Sequence, residues 1–359
     1  MRLTSLDVSS VRNLSSITLE PEPGLNVLYG DNGAGKTSLL EAIAILSSGR
    51  SFRAGKIKTV IQNDLNDLTV AASVLNEVSQ LETRIGITRG KERTQARING
   101  SNAQRLSQLA TALPCVVIST KNHELVEGGP SERRSFLDWI LFHVEPGYLE
   151  VSRRYRNALS QRNAAIRSTA PDALIASWNV ELVSAGEIIN KLRQKVLVRY
   201  LDSFSALTEG LDVTVRPEFV YRKGWSEELS LQEALNKNLA YCRRVGTTTS
   251  GPHRADIKIK VGSNEARYNN SRGQQKLLAI MMRLVQVDIY TEYHNHPPVL
   301  LFDDLPSELD KEARKFVFDY LQETGVQVLL TSVDDVTNEI HQVSKRFHVE
   351  RGQIEKVLY

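Results

Sequence analysis

The spacing of apolar and polar residues predicts strands and one helix in the first hundred residues. Good helix formers with an apolar stripe predict a helix over residues 37–46. Asn99-Gly100 is a typical hairpin turn. Short apolar segments with strand-forming residues are strand candidates at residues 3–8, 17–19, 25–29, 68–72, 83–88 and 97–99.

The pattern changes in the middle of the chain and returns to strands near the end. Residues 137–208 repeat apolar positions every three or four residues, which predicts two or three long helices with a break near 168–171. Strands are predicted after residue 246, at 257–261, 299–302 and 326–330, with a helix from Gln274 to about Glu292. We therefore expect a discontinuous α/β domain over residues 1–120 and 245–359, with a mainly helical insert over 121–244.

Composition indicates an ordinary folded protein and excludes some classes. Hydrophobic residues make up 41% and charged residues 24%, and the net charge is +3, so nucleic-acid binding would need local basic patches. No apolar run reaches the ~18 residues that cross a bilayer, and the N-terminus lacks a signal-peptide core. Cys115 and Cys242 are far apart in the sequence, which suits reduced thiols and argues against a structural disulfide. We expect a soluble cytoplasmic protein without membrane association.

A glycine-rich loop between a predicted strand and a predicted helix carries the clearest chemistry. It fits the pattern G-x-x-x-x-G-K-[ST], in which glycines let backbone amides approach phosphate oxygens. Lys36 is expected to reach the β- and γ-phosphates, and Thr37 to ligate Mg²⁺. ATP-binding residues are therefore predicted to be Gly30, Asp31, Asn32, Gly33, Ala34, Gly35, Lys36, Thr37 and Ser38.

Two carboxylates follow a second apolar strand. Asp303 and Asp304 come directly after residues 299–302, at the strand end where parallel sheets bind ligands. Asp303 is placed to hold Mg²⁺, and Asp304 to polarise the attacking water as a general base. With Lys36, these two residues are the predicted catalytic groups.

A serine and a glycine open the long helix that precedes these carboxylates. Taken alone, Ser271, Arg272, Gly273 and Gln274 are only a helix N-cap followed by glutamine. Ser271 stands 32 residues before Asp303, and this order resembles the signature motif of ABC ATPases. In that family the serine and glycine contact the γ-phosphate held by the opposite protomer. The resemblance therefore implies a homodimer closed around ATP and Mg²⁺.

Short segments along the whole chain narrow the resemblance. They include Val11-Arg-Asn-Leu14, Ser51-Phe-Arg53, Gly128-Gly-Pro-Ser-Glu-Arg-Arg-Ser-Phe-Leu-Asp138, Gln161-Arg-Asn-Ala164, Gly251-Pro-His-Arg-Ala-Asp256 and Ser307-Glu-Leu-Asp310. These segments resemble the RecF family of bacterial recombination-mediator ATPases, which is related to SMC proteins. The fold implied is an ABC/SMC-type P-loop ATPase head with an inserted helical lobe.

The RecF resemblance also implies roles and partners. Arg12 would contact the nucleotide, and Asp310 would belong to the D-loop. The implied activity is a weak DNA-dependent ATPase that acts at gapped and junction DNA, and the implied partners are RecR, RecO and RecA. Asp304 stands where most ABC proteins have Glu, so we expect slow hydrolysis. The loop at 120–122 and the pair Leu305-Pro306 depart from the family pattern.

Two groups of basic residues are candidates for DNA contact, although such runs are often solvated surfaces. Neither group is interleaved with aromatic residues, which favours contacts with the backbone of duplex DNA. The first group is Arg84, Arg89, Lys91, Arg93 and Arg97, on a predicted strand pair. The second group, in the helical insert, contains Arg153, Arg154, Arg156, Arg162, Arg167, Lys191, Arg193, Lys195 and Arg199.

Three histidines and two rival functions complete the predictions. His253 is expected to be structural or to sense nucleotide, and His294 and His296 to be solvated. A transporter ATPase subunit is a weaker alternative, because Thr37 and Ser271 are 234 residues apart. A tethering SMC-like protein is another, although the insert is short for an extended coiled coil.

Overall fold

The computed structural model describes residues 1–91, 93–209, 217–262, 264–304, 309–335 and 343–358. They form two compact units, the first made of Met1–Asn122 with Gln286–Tyr359 and the second of His123–Val285. The second boundary lies at 285/286, whereas we expected the insert to end at 244. Strands on both sides of residue 244 pair with each other, and these hydrogen bonds keep 245–285 with the insert.

The first unit contains an antiparallel sheet. Its strands are β1 (Arg2–Val11), β2 (Leu14–Leu19), β4 (Asp67–Asn76), β5 (Leu81–Gly90), β6 (Thr94–Ile98) and β7 (Ser101–Asn102), in the order β2-β1-β4-β5-β6-β7. In β4, Leu68, Val70, Ala72 and Val74 are all buried, because alternate residues face the same side of a sheet. The predicted strands of this region are confirmed, and the turn at 99–100 joins β6 to β7.

A second, mainly parallel sheet belongs to the same unit. Its strands are β3 (Leu25–Tyr29), β8 (Cys115–Ile118), β12 (Val299–Phe302), β13 (Val328–Ser332), β14 (Lys345–Glu350) and β15 (Gln353–Leu358), in the order β15-β14-β3-β13-β12-β8. Phe302 is in register with Leu330, and Leu330 with Val27, so the carboxyl ends of β3, β13 and β12 meet at one edge. The predictions at 25–29, 299–302 and 326–330 are confirmed, whereas β8, β14 and β15 were not predicted.

Helices of the first unit pack on these sheets. They are α1 (Lys36–Ser48), α2 (Ser107–Ala112) and α12 (Lys311–Thr324), with a 3₁₀ turn at Ile57–Thr59. The predicted helix at 37–46 is α1, which contacts strands of both sheets. Most of its residues are buried, which explains why it is apolar on nearly every side.

The second unit is mainly helical. Its helices are α3 (Glu124–Glu127), α4 (Pro130–Val144), α5 (Tyr148–Arg167), α6 (Asp172–Ser177), α7 (Asn179–Leu207), α8 (Leu231–Lys237), α9 (Leu239–Val245), α10 (Ala266–Asn269) and α11 (Arg272–His294), the last continuing into residues of the first unit. The predicted long helices are confirmed, with their break between α5 and α6. A small sheet contains β9 (Pro217–Arg222), β10 (Asp256–Val261) and β11 (Asn264–Glu265).

Within the described part of the chain, no helix is both long enough and apolar enough to cross a membrane.

Candidate functional site

The glycine-rich loop joins β3 to α1, as its sequence predicts, and two of its glycines are required by the backbone. Gly30 has φ 143°, and a Cβ there would lie 2.2 Å from the carbonyl oxygen of Val349. Gly35 has φ 117°, and its Cβ would lie 2.8 Å from Leu14. Side chains at these positions would therefore clash as well as strain the backbone. Gly33 has φ 81° but faces open space.

The start of α1 presents positive charge to this loop. Its N-cap is Gly35, which supplies no side-chain acceptor to the first amides. The Nζ of Lys36 donates to the carbonyl oxygens of Gly30 at 2.6 Å and Asp31 at 2.9 Å. Burial lowers the pKa of Lys36, while Asp304, Asp303 and Asp31 act in the opposite direction. Amides and a cation directed into one loop are the elements of an anion site.

Asp303 lies at the carboxyl end of β12, within reach of two threonines. The Oγ1 atoms of Thr37 and Thr331 each donate to Oδ1 of Asp303 at 2.8 Å. Burial raises the pKa of Asp303, and these hydrogen bonds lower it. The adjacent hydroxyl and carboxylate oxygens of Thr37 and Asp303 fit the preference of Mg²⁺ for hard oxygen ligands.

Asp304 follows in a strained backbone conformation. Its φ is 62°, in the left-handed region, and its amide donates to Oγ1 of Thr331 at 2.9 Å. Thr331 therefore holds both acids, although no role was predicted for it. It could have been suspected only from its position at the end of β13, because strand neighbours are not evident from sequence.

These groups surround one cavity of about 990 Å³. A volume of this size suits a nucleotide-sized ligand. Residues of the turn between β1 and β2, of the 3₁₀ turn and of the segment after it complete the wall, among them Arg12, Asn13, Thr59, Ile61 and Gln62. The predicted site residues that line the cavity are Arg12, Asn32, Gly33, Gly35, Lys36, Thr37, Ser38, Asp303 and Asp304.

Asn13 and Glu41 organise this wall and were not predicted. Asn13 donates from Nδ2 to the carbonyl oxygen of Gly33 at 3.1 Å and accepts from Ser38 at 3.2 Å. Glu41 is fully buried and binds Arg12 through both carboxylate oxygens, at 2.9 and 3.0 Å. A single acid within the apolar run of α1 was the available signal for Glu41.

The predicted signature residues lie in the second unit, at the start of α11. The amide of Gln274 donates to Oγ of Ser271 at 3.3 Å, and the amide of Ser271 donates to Oε1 of Gln274 at 2.9 Å. This reciprocal pair is a capping box. Ser271, Arg272 and Gly273 are exposed. The helix start is therefore capped by its own side chains and exposed.

Asp310 caps α12, because its side chain accepts from the amide of Ala313 at 2.9 Å. Its predicted neighbours in the D-loop, Ser307 and Glu308, lie outside the described residues, as do Leu305 and Pro306.

Strand alternation divides the first basic group. Arg84 and Arg97 line a shallow cavity with Thr69, Thr88 and Gln95 on the open face of the antiparallel sheet. Arg89 lies on the opposite face of the sheet, which it shares with the buried Ile85 and Ile87, because alternate residues of a strand point to the same side. Arg93 pairs with Asp67 of β4 at 2.9 Å, an acid that the sequence pattern did not associate with it. Lys91 is exposed. The five residues therefore do not form a single stripe.

The second basic group is also smaller than predicted. Arg162 is fully buried and donates to Asn179 and Thr248, so it cannot reach DNA. Arg193 is 4% exposed and binds Asp138 and the carbonyl oxygen of Pro252. Arg153 and Arg156 are exposed on α5, and Arg154 pairs with Glu181 at 2.6 Å. Only the exposed residues of the second basic group therefore remain candidates for contact with DNA.

The histidines have structural surroundings. The ring of His253 contacts Tyr155 Oη through Nδ1 at 2.6 Å and the carbonyl oxygen of Thr248 through Nε2 at 3.0 Å. Since a carbonyl only accepts, Nε2 carries the proton. Burial lowers the pKa of His253 to about 4, so the ring is neutral. His296 is 8% exposed and contacts the amino group of Met1, so the prediction that it is solvated was wrong.

Comparison with known proteins agrees with this fold. Residues 2–355 match the family described as RecF/RecN/SMC N terminal domain. The chain is 38% identical to the DNA replication and repair protein RecF of Thioalkalivibrio sulfidiphilus, over 99% of each sequence. It is similar to the structure of the recombination mediator RecF with ATP, with a TM-score of 0.89, 27% identity and coverage of 99% and 97%.

An Smc head bound to the C-winged helix domain of ScpA has the same fold, with a TM-score of 0.56, 17% identity and coverage of 100% and 97%. The predicted fold class, an α/β head of the ABC/SMC type whose sequence is interrupted by a mainly helical lobe, is confirmed. The chain belongs to the RecF family of proteins with a RecF/RecN/SMC N-terminal domain.

Proposed function

We propose that this chain is an ATP-dependent DNA-binding clamp that acts in recombinational repair and at replication forks. The observation that carries the proposal is the cavity in which the glycine loop, Lys36 and the Thr37–Asp303 pair converge. The names of the relatives, which are DNA replication and repair proteins, support the biological setting.

The cavity would bind ATP through its phosphates. Lys36 would exchange the carbonyl oxygens of Gly30 and Asp31 for β- and γ-phosphate oxygens, and the first amides of α1 would bind the same groups. Thr37 and Asp303 would hold Mg²⁺, which neutralises phosphate charge when bound. Arg12 and Asn13 line the same cavity and would contact the remaining part of the nucleotide.

Asp304 is the proposed general base for hydrolysis of ATP to ADP and phosphate. It lines the cavity at the end of β12, where an attacking water would stand. Its side chain is one methylene shorter than the Glu of most ABC proteins, which places the carboxylate farther from that water. Slow turnover follows, because proton abstraction depends on hydrogen-bond reach.

Dimerisation would complete the site. The exposed, capped Ser271 and Gly273 offer a hydroxyl and a side-chain-free backbone at a helix N-terminus, which suits the γ-phosphate of a second copy. Hydrolysis would remove this contact and release the dimer, with Asp310 near the dimer interface. Binding and release of ATP would thus shift the chain between two states.

DNA would be contacted through phosphates. Arg84, Lys91, Arg153 and Arg156 are exposed cations, with Arg89, Arg93 and Arg154 as weaker candidates because each already contacts a neighbouring group or is partly covered. The preferred DNA would be gapped or junction duplex. RecR and RecO would be partners, as the RecFOR pathway named for the similar structures suggests, and RecA would be a further partner, as the family resemblance implies. This role places the chain in the cytoplasm.

Fluorescence anisotropy of a labelled gapped duplex tests this function, with and without ATP-Mg²⁺. We expect ATP to tighten binding and Ser271→Arg to abolish the gain, because the larger side chain blocks the proposed contact. Ser177→Arg, at an exposed serine of the same unit, is the matched control and should bind like the unmodified protein. DNA binding that ignores both ATP and Ser271→Arg would contradict the clamp.

A further inference from the structure

Glu41 is a buried carboxylate in the helix that begins at the glycine loop. It lies five residues after Lys36 on α1 and is 0% exposed, between apolar neighbours of the same helix. An ionised carboxylate in such surroundings is costly unless charged or polar groups satisfy it. The groups that satisfy Glu41 all come from segments next to the cavity.

The first of these groups is Arg12. Its Nε and Nη2 bind the two oxygens of Glu41 at 2.9 and 3.0 Å, and its Nη1 donates to the carbonyl oxygen of Thr59 at 2.9 Å. The amide of Arg12 also donates to Val60 at 2.7 Å, although its φ of 56° is unusual for arginine. Three of the five guanidinium N–H groups are therefore engaged by residues that the structure describes. The plane of the guanidinium and the other two N–H groups remain for a ligand in the cavity.

The second group is the loop after α1. Ser51 donates its hydroxyl to Oε1 of Glu41 and accepts from the amides of Arg53 at 3.0 Å and Ala54 at 2.7 Å. The guanidinium of Arg53 lies 3.9 Å from Oε2 of Glu41 and lines the cavity. Glu41 thus determines the shape of the loop that carries Arg53 and attracts its side chain.

We propose that Glu41 is a positioning residue for nucleotide binding, which fixes Arg12 and Arg53 at the wall of the cavity. The inference rests on the proposed function, because it assumes that the cavity binds ATP. The helix α1 then carries Lys36 and Thr37 at its start. Through Glu41 on its buried side, it also positions the guanidinium groups of Arg12 and Arg53. The geometry of the positive groups relative to the phosphates depends on this single rigid element.

Isothermal titration of the full-length chain with ATP-Mg²⁺ tests the inference. Glu41→Gln keeps the shape of the side chain and one acceptor but removes the charge. We expect ATP affinity to fall about tenfold, within the range of coupling between contacting charged residues. In an Arg12→Ala background the same change should cost less than about threefold, because the arginine that Glu41 binds directly is gone and only the 3.9 Å contact with Arg53 remains.

Two further variants separate this role from general stability. Ile43→Val, at a fully buried position on the same helix that does not line the cavity, should keep the unmodified affinity. Glu41→Asp keeps the charge and withdraws the carboxylate by one methylene, so we expect an affinity between those of the unmodified chain and Glu41→Gln. It decides the test if Glu41→Gln does not fold.

The outcomes distinguish the two proposals. If the unmodified chain does not bind ATP, or Lys36→Ala binds it equally well, the proposed function fails. The positioning role is overturned if the unmodified chain binds ATP and both Glu41→Gln and Glu41→Asp bind ATP as tightly as the unmodified chain. Equal losses from Glu41→Gln with and without Arg12 also overturn it, since the effect would then not pass through Arg12, the arginine that Glu41 binds directly.

Discussion

Replacing Thr331 by valine should destabilise the carboxyl edge of the parallel sheet, beside Asp303 and Asp304, in a pH-dependent way. Thr331 is 1% exposed, donates to Asp303 at 2.8 Å and accepts from the amide of Asp304 at 2.9 Å. Valine has nearly the same shape, so the change removes one hydroxyl and leaves a buried carboxylate and an amide each short of a partner. Thr331→Ser retains the hydroxyl and is the matched control.

The magnitude follows from those two hydrogen bonds. With Asp303 ionised, loss of a bond to a charged group costs about 1.5–3 kcal/mol, and the unpaired amide adds about 1 kcal/mol. With Asp303 protonated, the lost bond is between neutral groups and costs only about 0.5–1.5 kcal/mol. Thr331→Val should therefore lower the free energy of unfolding by about 2.5–4 kcal/mol at neutral pH and by clearly less in acid.

The sign of the pH effect comes from the pKa of Asp303. Burial raises that pKa above its unfolded value, so between the two values the folded state binds more protons than the unfolded state. Stability contributed by this group therefore falls as pH rises through the window. Removing the Thr331 hydrogen bond raises the pKa further and widens the window, which makes the valine variant more sensitive to rising pH.

Hydrogen exchange with mass spectrometry measures the local loss of stability. The peptides that cover β3 and β13 are compared at pH 4.5 and pH 7. Peptides from α5 of the second unit serve as an internal reference. We expect faster exchange for Thr331→Val at pH 7, a smaller effect at pH 4.5 and near-normal protection for Thr331→Ser. Equal effects of the two variants, or an effect independent of pH, would refute the reasoning.

Three further predictions concern other parts of the chain. Gly30→Ala should reduce the yield of folded protein and its thermal stability much more than Gly33→Ala, because only the former places a Cβ against the backbone, at 2.2 Å. In the unmodified chain the free energy of unfolding should fall as pH falls from 6.5 to 4, because the unfolded histidine binds a proton that the folded ring of His253, with a pKa of about 4, does not. His253→Gln should remove this pH dependence. Urea unfolding followed by the three tryptophans, all within residues 123–285, measures it, and an unchanged pH profile would contradict it. Arg153→Ala and Arg156→Ala should each lower the salt dependence of DNA binding by about one unit of slope. Anisotropy across a salt series checks this, and unchanged slopes would remove α5 from the DNA surface.

Features whose physical causes are contiguous in sequence could be predicted. The glycine loop, its strand and its helix lie within residues 25–48, and the glycines report backbone needs that neighbouring residues create. The apolar run before Asp303 predicted a buried strand, and the period of residues 137–208 predicted long helices with their break. Periodicity and loop chemistry are local properties, so a single sequence displays them.

Features that depend on residues far apart in sequence were decided by the tertiary structure alone. Thr331 contacts Asp303 because β13 lies beside β12, and Glu41 contacts Arg12 because the turn after β1 lies beside α1. Arg162 looks like a surface cation in sequence but is buried against Asn179 and Thr248. The glycine loop, the two acids and the family could be identified from the residues alone. The folded structure was needed to establish the strand order, the partners of the buried charges and the face on which each cation lies. Contacts between residues far apart in sequence decide whether a charged side chain is solvated or paired within the protein.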